Sequence, residues 1–480
     1  MSLLNRVKKR VGAPIVDLAG RLGIDIQKVQ VVDRQIRKLR YITDTEIKLH
    51  VAEELVRKYP MYPMLHLELV QCLHRLSDLR QFEHLDKYAE VRRDWLIRTG
   101  LDKLDMEFIW PGMVVGSLGN HYAIENLLKA NLYGLRSDRK PFLLLPQNAQ
   151  LRNQAFFEYF EPHIHVVRDG EAINALKMLE FYLTLPLGIC LPMNDGCPFL
   201  DIAANRIEME REKQGLKSAL FQLSDRHQEM GLDALKKLGL PRNAWYVTLH
   251  VREPGYRGET RENTKESWRN ANPLDYLKAV EAITKKGGWV FRMGDPSMTP
   301  MPLMPQVIDY ALHEIRCDWM DVFLGATCRF LIGTGSGYYH IPALFGVPCM
   351  LTNFPGFVPY YGMRSQDLYL PRWLKKIKSE KLVTFEEFMS PPVSMFWLMK
   401  RYKDAGLQWV ENSPEVLELA TIEMIDRTVN GTFSQQEEDD DLQKHFKVIA
   451  EACGLKYGGK PVKAFASISG DFLERHADLL

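Results

Sequence analysis

At 480 residues the chain is too long for one hydrophobic core to organise, and two or three domains are expected. Its 62 Lys and Arg against 61 Asp and Glu leave it nearly neutral, which removes any global electrostatic case for nucleic acid as a partner. Seven scattered cysteines without a C-x-x-C argue against a disulfide framework or a zinc site, and the lack of a signal-type apolar segment or of any run near the roughly 20 residues of a membrane span predicts a cytoplasmic protein.

In chain order, Asn5 to Arg40 is a basic arm with interleaved apolar residues such as Val11, Ile15 and Leu18. Its pattern suits a solvated helix, or a surface helix making peripheral contact with an anionic membrane. Glu46 to Leu101 reads as helices back to back, and Ala52 to Pro60 followed by Leu67 to Leu73 has the look of one degenerate tetratricopeptide-type unit. Near Phe108 the pattern changes to a βαβ succession. Gly112 to Leu118 is predicted as a strand, Ala123 to Leu135 as a helix, and Pro141 to Leu145 and His163 to Val167 as further strands. Asn205 to Met230 is predicted as one long charged helix joining two domains.

A second α/β succession follows Pro241, with strands at Trp245 to Val251, Trp289 to Met293 and Val307 to Ala311, and helices at Pro273 to Lys286 and Trp319 to Ala326. It culminates in Arg329 to Ile332, Gly333-Thr-Gly-Ser-Gly337, a short helix beginning near His340, and a strand from Pro348 to Leu351. A helix start after a glycine-spaced turn presents free N–H groups and partial positive charge, which suits a phosphate. The strand ending in Leu-His250-Val-Arg252 and the one ending in Phe-Arg292-Met-Gly-Asp295 each place an arginine where a doubly wound sheet binds ligands. No D-x-D lies between apolar strands, no Gly-Lys-Ser/Thr follows one, and the consecutive aspartates Asp439 to Asp441 sit in a hydrophilic run predicted as a mobile loop. No metal or cofactor is expected.

The order Leu-His-Val-Arg252, Phe-Arg-Met-Gly-Asp295, Ile308-Asp-Tyr310, Asp318-Trp-Met-Asp-Val-Phe-Leu324, Gly-Thr-Gly-Ser-Gly337 and Glu411-Asn-Ser-Pro-Glu415 resembles a bacterial group classed as glycosyltransferases with helical-repeat N-termini, found with surface-polysaccharide genes. The stretch from Gly335 to Pro348 is also similar to heptosyltransferases, and Leu-His-Val-Arg252 to the strand-end motif of fucosyltransferases. The resemblance implies an α/β chain of GT-B architecture, two facing Rossmann-like domains preceded by an α-helical TPR-like region. The expected division is 1–105 helical, 106–240 acceptor domain with the bridging helix, 241–430 nucleotide-sugar domain, and 431–480 acidic loop and tail.

The implied function is metal-independent, inverting transfer of a sugar from a nucleotide sugar to a cell-surface glycan, lipid-linked or protein acceptor. A non-catalytic binding module and a sugar-nucleotide epimerase are the alternatives. The donor would be held by His250, Arg252, Arg292, Asp295, Gly335, Ser336, Gly337 and His340, with Arg252 neutralising the leaving diphosphate. His121, with an unperturbed pKa near ~6.5, follows the expected first strand of the acceptor domain and is the candidate base. Glu125, one turn later, would orient it or replace it.

Overall fold

A computed structural model describes residues 26–137, 139–255, 269–396, 398–429 and 440–480. The chain divides into two compact units, one of Met1–Arg152 with Phe160–Ala203 and one of Asn153–Tyr159 with Ala204–Leu480. The class is α/β, and each unit is built on a parallel sheet, as the GT-B expectation requires of its halves. Most of the basic arm, up to residue 25, lies outside the described residues. Among those described, no helix is long and apolar enough to cross a membrane.

The first unit opens with helices Ile26–Arg40, Thr45–Lys58, Pro63–Arg75 and Arg80–Thr99. The Asp44 carboxylate accepts the Glu46 and Ile47 N–H groups at 2.9 Å, which starts the second helix, and Gly100, in the left-handed conformation at φ 70°, ends the fourth. Leu39, Ala52, Leu69 and Leu73 form one small core between these helices, and Val32, Ile36, Tyr62 and Leu65 another. Strands β1 (Phe108–Ile109), β2 (Phe142–Leu144) and β3 (His165–Val167) then pair in that order. Leu101, Phe108, Leu144, Leu179 and Leu183 bury the junction of this sheet with its flanking helix Gly170–Leu183. The β-branched run predicted as a strand at Gly112 to Leu118 is instead a helical turn, Gly112–Val115. Pro111 already holds αR angles, and the strand lies earlier, at Phe108–Ile109, so context overrides β-propensity there.

The second unit holds strands β4 (Tyr246–His250), β5 (Trp289–Arg292), β6 (Val307–Ile308), β7 (Leu331–Gly333), β8 (Cys349–Pro355), β9 (Leu368–Lys376) and β10 (Leu407–Val410). Their order is β10-β9-β8-β7-β4-β5-β6, parallel from β6 to β9, with β10 antiparallel at the edge. Counted from β4, the six parallel strands run 3-2-1-4-5-6, the doubly wound order of dinucleotide-binding folds. All five residues of β4 are buried, as in a strand covered on both faces. The tail returns to this sheet: β11 (Ser467–Ile468) pairs with β9, and His476 stacks on Trp373 at 5.8 Å.

Two sequence expectations fail in this unit for local reasons. The single helix expected over Asn205 to Met230 is two, Leu200–Lys213 and Asp225–Lys237. Gly215 turns left-handed at φ 66° after the first, and the Ser224 hydroxyl caps the second by accepting the His227 N–H at 3.3 Å. The acidic run expected to be a loop through Leu442 becomes a helix at its end. Asp440 accepts the Leu442 N–H at 2.8 Å and starts helix Asp441–Gly458, while residues 435–439 lie outside the described residues.

Candidate anion-binding site at the switch point of the second sheet

Strand order reverses between β4 and β7, because the chain builds outward from β4 through β5 and β6 and then returns to start β7 on its other side. At such a point the loops leaving the two strands diverge, and the crevice between their carboxyl ends is where open α/β sheets bind ligands. Here the two ends are His250 and Gly333, directly opposite in register. The loops beyond them are stitched together. The Thr334 N–H donates to the His250 carbonyl at 3.1 Å, and the Arg252 N–H donates to the Thr334 hydroxyl at 2.8 Å.

The glycine loop lies against this seam. Ser336 is the cap residue of a 3-10 turn, Gly337–Tyr339, which leads into helix His340–Leu344, and its hydroxyl accepts the Tyr338 N–H at 3.4 Å. The α-helix thus begins at His340, where it was expected, with a 3-10 turn added ahead of it. His340 is half-buried at the head of the α-helix, its ring edge on Tyr339. A bulge at Asn353, left-handed at φ 49°, carries β8 past the loop and sets the Phe354 ring beside Gly335. A Cβ on Gly335 would come within 3.0 Å of that ring, so any larger residue there requires the ring to give way by at least a few tenths of an ångström.

His250 is buried, its ring stacked on Tyr338 at 5.5 Å and its Nε2 3.5 Å from the Ser336 hydroxyl. Burial first, and then the nearby Arg292 charge, push its pKa down to about 4, so the imidazole is neutral at physiological pH. The linkage follows from that depression. Between pH 6.5 and about 4 the unfolded chain binds a proton at this histidine and the folded chain does not, so stability falls as the solution is acidified. Denaturant titrations at neutral and mildly acid pH should show His250→Gln losing less stability than wild type over that window, by on the order of 3 kcal/mol. Equal losses in the two proteins would mean that His250 is protonated in the fold.

Three guanidinium groups gather beside the loop. Arg252 donates through Nη1 to the Asn270 side-chain oxygen, and Arg269 donates through Nε to the Gly335 carbonyl at 2.7 Å. Arg372 on β9 donates to the Asn270 carbonyl at 3.1 Å and pairs with Glu411. Arg269 and Arg372 were not among the residues singled out in the sequence. Arg372 carried the same signal as Arg252, a lone arginine in the apolar run Leu368-Tyr-Leu-Pro-Arg-Trp-Leu374. Nearby, the Tyr276 hydroxyl, Thr352, Asn353 and Asn412 form a buried polar network with bonds of 2.7 to 3.3 Å, which fixes the segment after β10 against the end of β8.

Other expected donor-site residues have different work. Arg292 is 0% exposed and lies between two carboxylates, Glu253 and Asp309, the latter at 3.3 Å. Those carboxylates also accept the Thr299 and Met301 N–H groups at 3.1 and 2.9 Å, so Arg292 ties the β5–β6 connection to the end of β4. Asp295 is half-buried and accepts the Ser297 N–H at 2.9 Å in its own turn. In the first unit His121 is 1% exposed at the head of helix His121–Leu132, its Nδ1 3.2 Å from the Leu118 carbonyl and its ring against Phe160. Glu125 is buried in an ion pair with Lys129 at 2.6 Å. The strand that was expected to aim His121 from its carboxyl end is absent at Gly112 to Leu118, and both side chains are packed into the helix start. Among the described residues no group of three or more His, Cys, Asp and Glu could hold a metal ion.

No family model matches this sequence, and no curated protein does. Solved structures similar to it include a glycosyl transferase of family 9 from Veillonella parvula, at 12% identity over 55% of this chain and 86% of that one, with a TM-score of 0.34. The ADP-heptose LPS heptosyltransferase II of E. coli is 9% identical over 55% of this chain and 90% of its own, with a TM-score of 0.36. The iron-containing dodecameric glycosyltransferase TibC of enterotoxigenic E. coli is 12% identical over 68% and 76%, with a TM-score of 0.34.

Proposed function

We propose that the chain is a glycosyltransferase of the GT-B type, using a nucleotide sugar whose diphosphate sits at the β4/β7 switch point of the second unit. The observation that carries this reading is the gathering of Arg252, Arg269 and Arg372 around the Arg269–Asn270 segment, next to the Gly333-to-Gly337 loop, with Arg372 paired to Glu411. Breaking the bond between a sugar and a diphosphate develops negative charge on the leaving group. Cations already placed and held need no reorganisation to stabilise it, which is how a site supplies this chemistry without a metal. The acceptor class in this reading is a cell-surface glycan, a lipid-linked sugar or a protein, with inversion at the transferred carbon.

The test is ligand-induced stabilisation of the full chain by a panel of nucleoside diphosphates, followed by release of free nucleotide from the matching sugar nucleotides. Stabilisation together with slow nucleotide release is expected. Binding without release would favour a non-catalytic module, and absence of both would remove the donor-site reading. In the same assay Gly335→Val should weaken nucleotide binding by about 10-fold or more. Its side chain would drive the loop off Phe354. Unfolding of that variant near the wild-type temperature confirms that the loss is local.

A further inference from the structure

The Arg372–Glu411 pair is lopsided. The arginine side chain is 7% exposed, whereas the glutamate side chain is 54% exposed. Glu411 grips the guanidinium with both oxygens, one of them on Nε at 2.9 Å and the other on Nη2. The same Nη2 donates to the Asn270 carbonyl, which places the pair next to the contacts of Arg252 and Arg269. A buried arginine deprived of its counter-charge is strongly destabilising, whereas a carboxylate already half in water loses little when released. The burden of the pair therefore falls on Arg372, and any anion of matching geometry can take it over.

The residue after Glu411 is fixed. The Asn412 side chain donates to Asn353 Oδ1 and to the Pro371 carbonyl, both at 2.9 Å, and the Ser413 hydroxyl caps helix Pro414–Thr428. Glu411 can leave Arg372 by rotating its own side chain, with the backbone staying in place.

We propose that Glu411 is a displaceable internal competitor, holding Arg372 until the phosphate oxygens of a diphosphate ligand take the same fork. Two oxygens of a phosphate accept both N–H groups of the planar guanidinium fork, as a carboxylate does, and carry more charge. Ligand affinity is thereby set below what it would be without the Glu411 carboxylate, which favours release of the nucleotide product. This inference rests on the donor-site reading above.

The experiment is calorimetric titration of the full chain, at low ionic strength, with inorganic pyrophosphate, ADP, UDP and GDP. Glu411→Gln should bind the diphosphate that wild type prefers about 3- to 10-fold more tightly. Glu415→Gln, which removes the same charge from the pair with Lys278 at 2.7 Å, should bind as wild type does. In an Arg372→Lys background, where the fork is lost, the gain from Glu411→Gln should disappear. Glu411→Ala should behave as Glu411→Gln and serves if the latter does not fold. Wild-type binding with unchanged or weaker binding in both Glu411 variants overturns this inference and leaves the donor site standing. An equal gain in Glu415→Gln also overturns it, because the effect would then be long-range charge. Absence of binding in wild type and variants alike removes the donor site and this inference together.

Discussion

Arg292→Met is expected to destabilise the protein by about 3–5 kcal/mol, the range found when one partner of a buried ion pair is removed. Arg292 has no exposed surface, and its loss would strand the Glu253 carboxylate, itself buried, and leave Asp309 without its cation. The bonds from these carboxylates to the Thr299 and Met301 N–H groups would remain, but they cannot offset a desolvated negative charge. Chemical denaturation near neutral pH measures the effect directly. The companion variant Arg292→Met with Glu253→Gln should recover part of the loss, because the stranded charge is gone. A destabilisation below about 1 kcal/mol would place Arg292 in the class of surface pairs and reopen it as a ligand contact.

Arg292 also marks where the sequence stops being readable. The strands themselves were legible: β4, β5 and β7 are short apolar runs closed by glycine or a charged residue and lie where that punctuation put them, while β8 runs on past its expected end at Leu351 to Pro355. What the runs do not reveal is orientation. A strand covered on both faces shows no alternation, so nothing in Trp-Val-Phe-Arg292 tells whether the arginine faces a ligand or the layer beneath. Its two carboxylates come from β4's end and from the turn after β6, contacts that no local pattern foretells. Arg372 failed in the opposite sense. Its strand was not singled out, although the lone arginine in an apolar run was there to be seen. The helical turn at Gly112–Val115 shows the limit of propensity in a four-residue element, and with it went the geometric argument for His121.

Arg252→Lys is expected to lower turnover by about 10²-fold while nucleotide binding falls much less, since removal of one preorganised donor to developing charge typically costs that much. The substitution leaves the fold alone for an identifiable reason: the bond that joins the two strand ends uses the Arg252 backbone N–H to Thr334, and lysine or glutamine at 252 keeps it. What lysine loses is the fork. Arg252 reaches the Asn270 side-chain oxygen through one nitrogen and keeps its planar group directed, whereas an ammonium on a flexible stem holds the charge without the direction. Binding survives because Arg269 and Arg372 still supply cationic charge beside the loop. The measurement is therefore a kcat against KM split for sugar-nucleotide cleavage, with Arg252→Gln alongside. If charge alone mattered, lysine would restore turnover and glutamine would not. If direction matters, both fall, glutamine further. Wild-type kcat in both Arg252→Lys and Arg252→Gln, with a raised KM only, would show that Arg252 binds the donor equally in ground and transition states and stabilises no developing charge.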